Sequence, residues 1–371
     1  MNKRILIICN CSSGLNDFRG MLIDKLISLK FDVWAVVPPS DLKAEIFAEE
    51  QLIARGCRLI KIAVDRRGTN PLADLKLFLA YKKVIKKVNP NMVMTYTIKP
   101  NVYGGAACRL LKVPYAVNIT GLGTAFEGGG FLKRIVTVMN RVGCKGAKIV
   151  FFENESNRQL FVKEKIVKKN QTHCLNGAGV DLEKFQVCDY PEGNTIKFLF
   201  MGRVMAEKGI DELFLATHRL VEEGIKCELD VLGGYEEDYK EKIDMYENEG
   251  WLHYYGYQKD VRPFIEQSHC FVLPSWHEGM ANTNLESAAS GRPVITSNIP
   301  GCLEAVIDGE TGFLIERKNK YDLYKKMKKF SNLSYSERKE MGLKGRKHME
   351  SIFDKKIVVE ETLKYMGIID G

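Results

Sequence analysis

Phe271 to Ser297, FVLPSWHEGMANTNLESAASGRPVITS, reads as strand, loop, helix, turn, strand. Phe271–Leu273 is an apolar run of buried-strand length, stopped by Pro274 and Ser275. Asn282, Thr283 and Asn284 are helix-capping types, and a helix is expected to run from them to Ser290. Gly291 and Pro293 end it, and Val294-Ile295-Thr296 is the next strand. Glu278 then falls in the loop at the carboxyl end of a strand, and Glu286 in the first turn of a helix. Ligands of open α/β sheets bind outside the carboxyl ends of the strands. Helix-end amides there suit a phosphate, and a carboxylate beside them accepts from paired sugar hydroxyls. An acid in a first helical turn is also plain helix electrostatics, so the unit alone leaves both readings open.

Working outward, the same alternation fills the chain. Strand candidates in the first half are Ile5–Cys9, Val33–Val37, Arg58–Ile62, Met92–Thr95, Tyr115–Asn118, Lys148–Phe152 and Thr172–Leu175, with helical stretches between most of them. This pattern predicts an α/β fold with parallel sheets and right-handed crossovers. The 371 residues exceed one ordinary core, so two domains are expected. Residues 1–176 form the first and 196–353 the second. Residues 177–195, aperiodic and holding Gly177, Gly179, Pro191 and Gly193, are expected as a linker. Residues 354–371 are expected as a last helix crossing back to the first domain.

Composition excludes other classes. No apolar run is long enough for a membrane span, and the short run after Met1 reads as a first strand, not a signal peptide. The ten cysteines include no CxxC pair, and His and Cys do not cluster at zinc spacing. Reduced thiols in a cytoplasmic protein are expected. Charge is lopsided. Residues 1–176 hold 29 Lys and Arg against 13 acids, a net of +16, while the remainder nets −8. A basic half points to an anionic partner: a lipid diphosphate, an anionic membrane surface or a nucleic acid. No nucleic-acid motif accompanies it.

Loops of the first half supply candidate contacts. Asn10-Cys11-Ser12-Ser13-Gly14 is a small-residue loop that lets backbone approach a ligand, although no GxGxxG is present. Arg66 and Arg67, then Lys99 and Asn101, then Thr120, Gly121 and Glu127 open on one rim. Each is equally a solvated surface residue when taken alone. Phe131–Val142, apolar with interleaved Lys133, Arg134 and Arg141, fits an interfacial membrane helix and a core-facing helix alike. In the second half Arg203 and Lys208 flank a strand-to-helix turn, where cations and backbone amides can share a diphosphate.

Residues 196–316 resemble the C-terminal domain of retaining family 4 glycosyltransferases of the GT-B fold. The likeness lies in Gly202-Arg203 with Lys208, Gly233-Gly234, FVLPS, Glu278-Gly279, Leu285-Glu286, Gly291-Pro293-Val294-Ile295, and Gly309 with Gly312-Phe313. Glu278 and Glu286 stand at the E-x7-E spacing. TIKPN, TGLG and FENES in the first half are similar to bacterial transferases that extend undecaprenyl-diphosphate-linked sugars, of the PglA, capsule and O-antigen type.

The resemblance implies two Rossmann-like domains and a UDP-sugar co-substrate. Its diphosphate falls to Arg203 and Lys208, with Gly14, Gly233, Gly279, Met280, Ala281 and Asn282 around it. Glu286 falls to the ribose hydroxyls and Glu278 to the donor sugar, so Glu278, Arg203 and Lys208 are the catalytic candidates. It further implies a lipid-diphosphate-linked acceptor, peripheral attachment to the inner membrane face and no required metal or other cofactor. Met280 stands where many relatives carry a bulky aromatic, and the first 172 residues lack the histidine some relatives use. A sugar-nucleotide epimerase of the same fold and a nucleotide- or lipid-binding protein without turnover are the alternatives.

Overall fold

The computed structural model describes residues 3–65, 68, 70–122 and 130–370, the side chains of 131 and 132 excepted. Arg66, Arg67 and Glu127 lie outside the described residues.

The first unit comprises Met1–Ala178 with Lys356–Gly371. Its elements are β1 (Arg4–Ile8), α1 (Ser12–Ser28), β2 (Asp32–Val37), α2 (Lys43–Ala54), β3 (Arg58–Lys61), α3 (Pro71–Val88), β4 (Met92–Tyr96), α4 (Gly105–Leu111), β5 (Tyr115–Ile119), α5 (Gly130–Cys144), β6 (Ile149–Phe152), α6 (Glu155–Lys163) and β7 (Thr172–Cys174). The strands run parallel in the order β3-β2-β1-β4-β5-β6-β7. Buried alternately, Ile5 and Ile7 face a core with α1, while Leu6 and Ile8 face one with α3 and α4. Local chemistry sets the helix ends. Asn70 caps α3, accepting from the Leu72 N–H at 2.9 Å, Pro71 opens it, and Asn89 ends it in the left-handed conformation.

The second unit is Gly179–Lys355. It holds β8 (Ile196–Met201), α7 (Ile210–Glu222), β9 (Cys227–Leu232), α8 (Lys240–Asn248), β10 (Leu252–Gly256), α9 (Arg262–Gln267), β11 (Cys270–Leu273), α10 (Asn282–Ala289), β12 (Val294–Ser297), β13 (Gly312–Ile315), α11 (Lys320–Ser331) and α12 (Tyr335–His348); α13 (Lys355–Tyr365) follows. Its strands too are parallel, in the order β10-β9-β8-β11-β12-β13. In each sheet the order reverses beside the first strand, between β1 and β4 and between β8 and β11, the place where open α/β sheets take their ligands.

Residues 177–195, expected as a linker, hold no regular element. From Gly179 on they pack on the second unit, with Val180 and Phe185 in that core. The Arg292 guanidinium, wholly buried, donates to the carbonyls of Cys188 at 3.1 Å and Asp189 at 2.6 Å.

Candidate functional site

In the second unit the turn after β8 is seated against the end of β11. Gly209, at φ 71°, lies so close that a Cβ there would stand 2.1 Å from the Pro274 carbonyl oxygen. Only glycine meets both demands. The contact brings Lys208 Nζ onto Glu278 Oε1, which also accepts from Ser275 Oγ at 2.8 Å. The two charged side chains are 18% and 13% exposed, so the pair is shielded yet reachable. Trp276 holds this loop in register: its N–H donates to the Glu207 carbonyl at 2.9 Å, and its indole N–H to Glu212 Oε1 at 3.2 Å.

Gly233, at φ 138°, crosses the neighbouring turn, where a Cβ would lie 1.8 Å from the Gly202 carbonyl oxygen. Arg203, next in sequence, points largely into solvent and pairs with Glu236 at 3.5 Å. Glu278-Gly279 is backed by Gly301, whose Cβ would stand 2.7 Å from both carbonyl oxygens. The Ala281 N–H donates to the Gly301 carbonyl at 2.7 Å, and Met280 and Ala281 are buried.

Two expectations about α10 need correction. The residue before its first turn is Ala281, and no side chain caps it. Glu286 lies in the second turn, half-buried, with no acid in the first. Asn282 and Asn284 look inward instead of capping: Asn284 Nδ2 donates to Thr296 Oγ1 at 3.1 Å, and Thr296 Oγ1 to the Leu273 carbonyl at 2.8 Å. Asn282 Oδ1, Asn284 Oδ1, Ser287 Oγ and Ser297 Oγ are buried polar atoms without a hydrogen-bond partner. Ser275, Asn284 and Thr296 were read for local structure and not as site residues; their signal is polar residues inside otherwise apolar strand-end segments.

In the first unit, Asn10, Thr97, Lys99, Asn101, Thr120 and Gly121 line one cavity of about 280 Å³. Thr97 has φ 73°, a costly conformation for a β-branched residue and one that clusters at functional sites. Asn101 begins a single π-helical turn with Pro100 and donates to the Asn118 carbonyl at 2.8 Å. Its Oδ1 and Thr97 Oγ1 are buried and without a partner. Lys99 lines the cavity, but its ammonium is committed at 2.8 Å each to Asp74 and the Gly68 carbonyl. Arg19 and Glu153, the acid of FENES, form a buried pair at 2.8 Å, with Arg19 over the Tyr96 ring. Burial pushes the Glu153 carboxyl up, against the guanidinium beside it.

Gly14 is not in a loop. It lies in the first turn of α1, its hydrogen facing Cys11 Sγ, and the Glu45 carboxylate accepts from the N–H groups of Ser12 at 2.6 Å and Ser13 at 3.3 Å. The stretch expected as a loop approaching the ligand starts a helix, and a carboxylate of the chain itself takes its first amides. The small residues favoured a loop reading, and the partner acid lies a whole helix away. Among the described residues no group of three or more His, Cys, Asp or Glu is placed to hold a metal.

Two family models match the chain: glycosyl transferases group 1 over residues 189–348, and glycosyl transferase 4-like over residues 22–154. Among curated proteins, the N,N'-diacetylbacillosaminyl-diphospho-undecaprenol alpha-1,3-N-acetylgalactosaminyltransferase of Campylobacter jejuni is 26% identical over 380 residues, covering 97% of each chain. The UDP-Gal:alpha-D-GlcNAc-diphosphoundecaprenol alpha-1,3-galactosyltransferase of Escherichia coli is 30% identical over 270 residues, 67% of this chain and 68% of that one. Among solved structures, Anabaena Alr3699/HepE in complex with UDP and glucose superposes with a TM-score of 0.79 at 13% identity, covering 99% of this chain and 100% of that one.

Proposed function

Since the chain belongs to the group 1, GT4-like glycosyltransferases and has the GT-B fold, we propose that it transfers a hexose or N-acetylhexosamine from a UDP-sugar, with retention, to a lipid-diphosphate-linked saccharide of bacterial surface-glycan assembly. The observation that carries this reading is the Lys208–Glu278–Ser275 cluster at the carboxyl ends of β8 and β11, where an α/β sheet takes its ligand. The names of the two relatives support the acceptor class, and that of the Escherichia coli enzyme supports UDP.

The chemistry suits these groups. As the bond from the anomeric carbon to the diphosphate breaks, negative charge builds on the leaving oxygen and positive charge on the sugar. Lys208 and Arg203 stabilise the first, and the Glu278 carboxylate the second. The acceptor hydroxyl bonds to the anomeric carbon from the face the diphosphate leaves, and its proton passes to the departing phosphate oxygen. Glu286 takes the ribose hydroxyls. Asn101, Thr120 and Gly121, in the cavity of the first unit, offer hydrogen bonds to the acceptor sugar. Lys99, held by Asp74, contributes through the cavity wall. A lipid acceptor stays in its bilayer, so the enzyme works at the inner membrane face as a peripheral protein; no described helix is long and apolar enough to cross a membrane.

The test is a panel of UDP- and GDP-sugars against undecaprenyl-diphosphate-linked acceptors, read by mass spectrometry. One UDP-sugar should add one hexose or acetamidohexose mass. Conversion of a UDP-sugar without an acceptor would establish an epimerase instead. The cations at the site can do the work of a metal, so transfer should run undiminished in EDTA. Loss in EDTA with recovery on adding Mg²⁺ or Mn²⁺ would overturn that assignment.

A further inference from the structure

The outward face of α3, α4 and α5 combines exposed apolar side chains with nearly unopposed positive charge. On α3, Leu72, Leu75 and Leu79 are 70%, 55% and 50% exposed. At i, i+3 and i+7 they form one stripe, opposite the buried Leu77, Tyr81, Ile85 and Val88. Lys76, Lys83, Lys86 and Lys87 continue that stripe, all exposed, and among the described residues none has an ion pair. On α5, Ile135, Val138 and Val142 are exposed beside Arg134 and Arg141. Between them α4 contributes exposed Leu110, and Arg109 ties it to α5 by donating to the Val142 carbonyl at 3.0 Å. The three helices carry nine lysines and arginines and one acid, Asp74, which is turned to Lys99. All three cover the same side of the sheet, so their outer faces look the same way.

We propose that this face docks on a bilayer bearing anionic headgroups. Leucines enter the interface while lysines reach the headgroups, the arrangement of an interfacial amphipathic helix. Charge selects this face over the other apolar strip of the unit. Leu42, Ile46, Phe47 and Ile53 on and beside α2 are exposed too, but that helix carries Glu45, Glu49 and Glu50 against Lys43. A second copy of the chain is disfavoured on the α3–α5 face because two such faces repel. Within α5, Lys133 pairs with Glu164 at 3.2 Å, so α3 supplies most of the free charge. The proposal rests on the lipid-linked acceptor for its purpose and on this surface for its evidence.

The test is co-sedimentation of the full chain with vesicles of phosphatidylcholine, or of equimolar phosphatidylcholine and phosphatidylglycerol. Binding should need the anionic lipid and fall with added salt. Lys83→Glu with Lys86→Glu should weaken it about thirtyfold or more, at roughly fivefold per cation removed. Leu75→Ser with Leu79→Ser should weaken the binding that survives salt. Both variants should keep the far-ultraviolet spectrum and UDP affinity, and should lose transfer to an acceptor in vesicles but not to a water-soluble short-chain one. Equal binding to both vesicle types, or unaltered binding by the charge-reversed chain, overturns the proposal. So does a leucine variant that loses a dimer in analytical sedimentation and no vesicle affinity. Vesicle binding intact with no transfer to any acceptor would instead overturn the functional reading alone.

Discussion

Lys208 and Glu278 hold each other in a partly buried place. Lys208→Ala should lower stability by about 1–3 kcal/mol, since it leaves a shielded carboxylate with only Ser275 beside it. It should also depress transfer by more than it weakens UDP binding, because a developing charge gains more from the ammonium than a settled one. Urea melts and steady-state rates read the two effects; a stable, fully active Lys208→Ala would remove the pair from the reaction. Glu286→Ala should weaken UDP binding about tenfold or more, as hydrogen bonds to a charged group contribute about 1.5–3 kcal/mol. Unchanged calorimetric affinity in a folded variant would strike Glu286 from the site. At this scale the sequence disclosed where a charged side chain falls along the chain better than whom it meets. Glu278 was legible in the loop after a strand, while Glu286, read into a first helical turn, lies in the second. Asp74 on Lys99 and Glu45 at the start of α1 were not legible, because each pairing joins residues far apart in sequence and no local pattern records it.

Elements were more legible than partners, because strand and helix periodicities are local. The strands of the first sheet differ from the reading by a residue or so at their ends. What escaped was irregular backbone fixed by close approach, such as the π-helical turn at Pro100–Gly104 and the packed course of 179–195. Gly209 belongs with these. Gly209→Ala should cost at least about 1–3 kcal/mol through its positive φ and its crowding on Pro274, and should lower transfer by shifting Lys208. Thermal melts with neutral effect would mean the turn relaxes freely. The β8–β11 junction also carries a pH response. His269 Nδ1 accepts from the Lys197 N–H at 3.1 Å, and burial, with Arg338, Arg292 and Lys197 nearby, pulls the imidazole down to about 4. A depressed histidine contributes stability that is present above its ordinary value near 6.5 and is lost as pH falls through about 4. The loss is at most about 3 kcal/mol. An NMR titration placing His269 near 6.5 in the folded chain would refute it.

The whole chain divides its sequence unevenly between its units: residues 356–371 group with the first unit although they follow the second. Their hold is specific. Val358, Val359, Leu363 and Met366 are buried in the core that Ile5, Ile7 and Phe151 share. Glu361 meets His173 at 2.8 Å, Tyr365 stacks on the same ring at 3.5 Å, and Lys148 Nζ donates to the Met366 carbonyl at 2.7 Å. Four buried apolar side chains at about 1.5–3 kcal/mol each amount to about 6–12 kcal/mol, the size of an ordinary domain's entire stability. A chain ending at Lys355 should therefore lose the first unit while keeping the second, whose core contains none of these side chains. Hydrogen exchange followed by mass spectrometry would read this directly. Amides of β1, β4 and β5 should lose protection and those of β8, β11 and β12 should keep it. Because the proposed UDP site lies in the second unit, the shortened chain should still bind UDP weakly while transferring no sugar. The full-length Leu363→Ala variant, expected to cost about 2–5 kcal/mol, provides a graded version in which exchange rises in the first unit alone. Full protection of β1 and β4 in the shortened chain would mean that the first unit stands without its returning helix, and that the contacts of α13 add little to it.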